Sequence, residues 1–140
     1  GLKVGVYFFS QAVNENEARE EAQGCWYVLN SRKLDYPIYF DSEASGGSNG
    51  RADGLGVTDR TKCAIAFCEE VKALGYQPGV YSTLWFRNRL DLSQLSQYPI
   101  WNAHYNVASS PIPCQMWQGT CTARIPGYNG QIDVNISYMG

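Results

Sequence analysis

The stretch 36–43, YPIYFDSE, constrains the fold of this chain more than any other. A run of aromatic and branched side chains ends abruptly in two carboxylates and then enters a Ser/Gly-rich loop. Such a run reads as a buried strand with its chemistry at the C-terminal tip. Side chains on a strand alternate faces and rise about 3.3 Å per residue, so Asp41 and Glu43 point the same way with Cα atoms roughly 6 to 7 Å apart. Two acids held that close and half desolvated cannot both ionise freely. One keeps its proton to higher pH and can act as a general acid, while the other stays charged. A lone Asp-x-Glu at a strand end is more often a solvated pair, so the case depends on the rest of the chain.

The flanking sequence supplies an architecture. Val4, Val6 and Phe8 form a first apolar strand closed by Ser10 and Gln11. Asn14 offers an N-cap with Glu17 three residues later, and Ala18, Ala22, Cys25, Trp26 and Leu29 recur at helical spacing as a buried face. Glu15, Glu17, Glu20 and Glu21 come early and Arg32 and Lys33 follow the end, as the helix dipole favours. Residues 44–57, ASGGSNGRADGLGV, carry five glycines and no periodicity. They lack the GK[ST] of a phosphate loop and read as a mobile active-site-rim loop or, nearly as well, an inert linker insertion. Thr58 or Asp59 is placed to cap a second helix with Ala64, Phe67, Cys68, Val71 and Leu74 inward, and Gly75 closes it. A strand over 77–82, an irregular helical stretch over 84–95 and a strand over 99–105 follow. Strands alternating with helices predict parallel βα units. After Ser110 the helices stop, short strands crowd together, and Asn129-Gly130 is a turn signal, so the ending is predicted to be antiparallel.

Length suits one α/β domain over 1–140. The net charge of -2 gives no electrostatic footprint for a nucleic-acid or anionic-membrane partner, and no apolar run approaches the roughly twenty residues of a membrane span. Five cysteines leave at least one thiol unpaired in a monomer. Cys63 and Cys68 lie about 140° apart around a helix and are not expected to bond, whereas Cys114 and Cys121 could bridge a hairpin. The chain has no CxxC spacing and a single His, His104, so no metal site and no cofactor is expected. His104 reads as a rim or packing residue, since no GxSxG elbow accompanies it. Asn135-Ile136-Ser137 matches a glycosylation acceptor only formally.

Taken together, GLKVGVYFFS, the ENEAREEA helix, YPIYFDSE, FCEEVKALGYQPGVYST, WNAHY, MWQ and IPGYNGQIDVN resemble the family 25 glycoside hydrolases, the muramidase or Chalaropsis type of lysozyme. The resemblance runs in order from Gly1 to Tyr138. It implies an irregular, TIM-type β/α barrel with the site at the C-terminal strand ends. By position it makes Glu43 the general acid, Asp41 its charged or orienting neighbour, and Asp133 a third cleft carboxylate. Tyr7, Tyr81, Tyr105 and Trp117 fall at positions for sugar stacking or hydroxyl contacts, although aromatic strand residues more often pack in cores. The implied substrate is the peptidoglycan glycan strand, which places the protein in a secreted or cell-wall setting. The family's opening strand, with an Asp in a GIDVS-like motif, has no counterpart here, and a complete barrel takes roughly 200 residues or more. The chain is therefore expected to be the C-terminal portion of an incomplete barrel, inactive or weakened in activity, with open edges able to pair two copies. A non-catalytic glycan-binding module is the rival reading. A DxDxE chitinase is disfavoured because Tyr39 stands where that pattern wants Asp.

Overall fold

The computed structural model describes residues 1–47, 49–83 and 89–140, so part of the predicted stretch 84–95 lies outside the described residues. Six strands form one sheet in the order β1 (Val6–Phe9), β2 (Ile38–Asp41), β3 (Pro78–Thr83), β4 (Ile100–Ala103), β5 (Met116–Ala123) and β6 (Ile132–Ser137). The first five are parallel to their neighbours, and β6 runs antiparallel to β5 through two register shifts. The sheet is an incomplete TIM-like barrel of strands and helices, as expected. Helix α1 (Glu15–Leu29) links β1 to β2, and α2 (Val57–Ala73) links β2 to β3. A 3-10 turn, Leu92–Gln94, lies on the way to β4.

Alternation along the strands divides the sheet into two faces. Ile38, Phe40, Val80 and Ile100 point outward and pack with Ala18 and Ala22 of α1 and Ala64, Phe67, Cys68 and Val71 of α2 in one core. Phe67 sits 5.4 Å from Phe40 and 6.4 Å from Phe8, ring centre to ring centre. Fully burying such a ring stabilises the fold by about 2–3 kcal/mol. The alternate residues Tyr39, Asp41, Tyr81 and Trp101 face the other way, into the hollow of the half-barrel. Gly79 is required there, because a Cβ at that position would lie 2.6 Å from the Tyr39 ring.

Local signals held in part. Asn14 caps α1 by accepting from the Glu17 N–H at 3.0 Å, while Glu17 reaches back to the Val13 N–H rather than to the cap itself. Trp26 is 45% exposed instead of buried, since the stripe Ala18, Ala22, Cys25, Leu29 takes the inward face and leaves Trp26 beside it. Helix α2 begins after Gly56, with no side-chain cap, so Asp59 lies inside the first turn rather than before it. Gly75, at φ 89°, ends α2 in a Schellman arrangement, its N–H on the Lys72 carbonyl and the Tyr76 N–H on that of Val71. The turn before β6 is made by Pro126-Gly127, with Gly127 at φ 84° and the Tyr128 N–H on the Ile125 carbonyl, rather than by Asn129-Gly130.

All five cysteines are free thiols. The expected Cys114–Cys121 bridge fails because Cys114 leads directly into the strand that contains Cys121. The strand steps between Met116 and Cys121 alone separate them by roughly 15 Å, twice the span of a disulfide.

Candidate active site

The C-terminal ends of parallel strands gather at one rim of a sheet, and three carboxylates of this chain, Asp41, Glu43 and Asp133, come together there. A cleft of about 210 Å³ is lined by Tyr7, Asp41, Glu43, Tyr81, Trp101, Tyr105, Gln118 and Asp133. Asp41 is the last residue of β2 and Glu43 lies two beyond it, so the two-residue period of the strand delivers both to the same hollow. Asp133 arrives from the antiparallel strand β6.

Asp41 is 6% exposed, and its Oδ1 is buried without a hydrogen-bond partner among the described residues. Burial, the charge of Glu43 and a hydrogen bond to Glu43 push its carboxyl up to about 7. Glu43 is raised as well, first by burial, with Asp133 adding to the rise while the bond from Asp41 and the charge of Arg89 oppose it. The bond raises Asp41 and lowers Glu43. Both carboxyls are raised, so the pair shares a proton toward neutral pH.

A second group sits beside the acids. The Oε1 of Gln118 accepts from the Tyr81 hydroxyl at 2.8 Å and from the Tyr105 hydroxyl at 2.6 Å. Burial is the main reason that both phenols are raised, Tyr105 to about 12. Trp101 is the centre of an aromatic group, with Tyr81, Tyr39 and Tyr7 set edgewise at 4.9, 5.3 and 6.3 Å. Its Nε1 donates to Asn135 of β6 at 2.8 Å, tying the two sides of the hollow together.

The Gly-rich segment after Glu43 is anchored at several points. Arg60 of α2 is fully buried and donates from Nη1 to the Ser42 hydroxyl at 2.6 Å. Its Nη2 donates to the carbonyls of Ala52 and Leu55 at 2.6 and 3.0 Å. Asp53 accepts from the Ser45 N–H and hydroxyl, and Arg51 donates two hydrogen bonds to the Glu17 carboxylate at 2.6 Å each. The segment is thus a built rim rather than an inert linker.

Of the seven residues singled out from sequence, the structure brings six to the cleft: Asp41, Glu43, Asp133, Tyr7, Tyr81 and Tyr105. Trp117 is the exception. It pairs with Asn102 on the outer face of the sheet and is buried there, its Nε1 held by the His104 carbonyl at 2.9 Å. Trp101 and Gln118 take the inner positions that sequence reasoning missed. The signal for Trp101 was available, since Trp101 and Tyr105 share strand parity in WNAHY. In MWQ nothing local says whether Trp117 or Gln118 turns inward. Among the described residues no group of three or more His, Cys, Asp or Glu side chains is placed to hold a metal ion, and no helix is long and apolar enough to cross a membrane.

Comparison with known proteins agrees with this geometry. The family model "Glycosyl hydrolases family 25" matches residues 1–128. The autolysin LytC from Streptococcus pneumoniae is similar at 26% identity and a TM-score of 0.78 over 95% of this chain and 33% of that one. The same autolysin in complex with a synthetic peptidoglycan ligand superposes at a TM-score of 0.79 and 23% identity, with the same coverage. A bacterial lysozyme from Streptomyces coelicolor shares the fold at a TM-score of 0.67 and 21% identity, over 94% of this chain and 65% of that one. The chain spans one third to two thirds of the length of these structures. No curated protein matches it.

Proposed function

The chain belongs to glycosyl hydrolase family 25, and on that premise we propose that it carries the acid–base side of a site hydrolysing the β-1,4 bond between N-acetylmuramic acid and N-acetylglucosamine in peptidoglycan. The observation that supports this most is the placing of Asp41 and Glu43, with Asp133, together in one aromatic-lined cleft at the strand ends, where burial raises both of the paired carboxyls. Glu43 is the general acid that protonates the leaving glycosidic oxygen. Asp41 stores the proton and passes it along their common hydrogen bond, then carries negative charge beside the anomeric centre. Asp133 adds a third carboxylate to the same cleft. Tyr7 and Trp101 offer ring surface to sugars, and Tyr7 is 61% exposed and so accessible to them. The likeness to an autolysin solved with a synthetic peptidoglycan ligand supports the glycan strand as substrate and a secreted or cell-wall setting.

We infer that the chain by itself, as the C-terminal part of the barrel, is weakened or inactive. Its cleft is smaller than the roughly 300–1,000 Å³ usual for a ligand site, and the sheet is open between β1 and β6. The same openness is what favours the second reading, a glycan-binding module without turnover. Its exposed edges carry Leu2, Val4 and Phe9 on one side and Val134, Ile136 and Tyr138 on the other, and we infer that they pair with a second copy when nothing else covers them. The deciding experiment is muropeptide release by the chain and by the full-length protein that contains it, each with and without Glu43→Gln. Loss of turnover by about 10² to 10⁴-fold in the full-length variant supports the assignment. Substantial residual turnover refutes it, and binding without cleavage by both wild-type forms establishes the module.

A further inference from the structure

Resting on the hydrolase reading, we propose that Gln118 is the residue by which the site requires N-acetylated sugars: its amide N–H group donates to the acetamido carbonyl oxygen of the substrate. Gln118 is 3% exposed and lines the same cleft as Asp41, Glu43 and Asp133. Its Oε1 is saturated, since a carbonyl oxygen has two lone pairs and both are taken by the Tyr81 and Tyr105 hydroxyls. The carboxamide is planar, so fixing the oxygen fixes Nε2 on the opposite side, with two donors and no partner among the described residues. The two phenol hydroxyls hold this orientation, because a flipped amide would set its N–H group against two O–H donors.

With the oxygen committed to the two phenols, the amide N–H edge is the part of Gln118 left to a ligand in the cleft, and an acceptor placed there gains a hydrogen bond. Anionic acceptors are repelled by the acids, so the fitting partner is a neutral oxygen. The acetamido carbonyl is such an oxygen, carried by every residue of an N-acetylated glycan. A de-N-acetylated sugar presents an ammonium instead, which brings donors to a donor.

The test uses the full-length protein on peptidoglycan and on the same polymer after chemical de-N-acetylation, with kcat/KM read from released reducing ends. Gln118→Glu keeps an acceptor for both phenols and removes the N–H pair. It should lower kcat/KM on the acetylated polymer by about tenfold or more beyond any loss on the de-N-acetylated one, so that the ratio between substrates collapses. Equal loss on both polymers assigns Gln118 a merely structural role and overturns the proposal. Should that variant fail to fold, Tyr105→Phe decides: it removes one of the two hydroxyls that orient the amide and should lower the same ratio several-fold, and an unchanged ratio overturns the proposal. Wild-type protein that cleaves neither polymer refutes the hydrolase reading itself, a result distinct from cleavage of both polymers with no preference, which refutes only the role of Gln118.

Discussion

Replacing Asp41 by Asn should make the folded chain more stable at alkaline pH, although it removes a group from the site. In the folded state burial and the neighbouring Glu43 lift the Asp41 carboxyl from its ordinary 3.8 to about 7. Below about pH 4 the acid is protonated whether the chain is folded or not, so nothing is gained or lost. As pH rises toward 7 the unfolded chain releases the proton while the folded chain retains it, and stability falls with pH. Each unit of difference corresponds to about 1.4 kcal/mol, which gives a ceiling of about 4 kcal/mol above pH 7. Asp41 is almost wholly buried, so solvent screening does not reduce this much, but the proton is shared with Glu43 and the measurable gain is on the order of 2–4 kcal/mol. Urea unfolding followed by tryptophan fluorescence at pH 4, 6 and 8 reads it directly. Wild type and variant should diverge progressively as pH rises. A difference that stays constant with pH, or a variant less stable than wild type at pH 8, would show that Asp41 is not held protonated by its surroundings.

Two further outcomes can be checked with the same material. Gly79→Ala should cost about 1–3 kcal/mol, because the new methyl meets the Tyr39 ring at 2.6 Å, and thermal melts showing no loss would mean that the ring moves freely. Light scattering of the chain over a rising concentration series should show dimers formed through the open edges, and a clean monomer at high concentration would refute that association.

What was legible in the sequence followed strand parity and helix punctuation. Asp41 and Glu43 could be placed on one face because a two-residue period leaves no freedom once the strand is recognised. Asn14 and Gly75 marked helix ends through chemistry that acts within a few residues. Gln118 was hidden because MWQ is apolar or neutral throughout, and only its alignment against Asn102 and Ala103 of β4 decides that Trp117 turns outward. The Cys114–Cys121 pairing misled for the same reason. It assumed a hairpin between them, where the chain runs on as one strand and reverses only after Ala123. The family resemblance supplied Asp133, which no local pattern connects to residues some ninety positions earlier.

Arg60 gives the site a property that the acids could not supply themselves. A guanidinium keeps its charge at any pH the protein meets, and this one grips a hydroxyl and two backbone carbonyls rather than a titrating partner. Proton traffic between Asp41 and Glu43 therefore leaves the scaffold beneath them unaltered. Ser42, lying between the two acids in sequence, stays tied to helix α2 whichever of them holds a proton, so protonation state and geometry are separate variables in this fold.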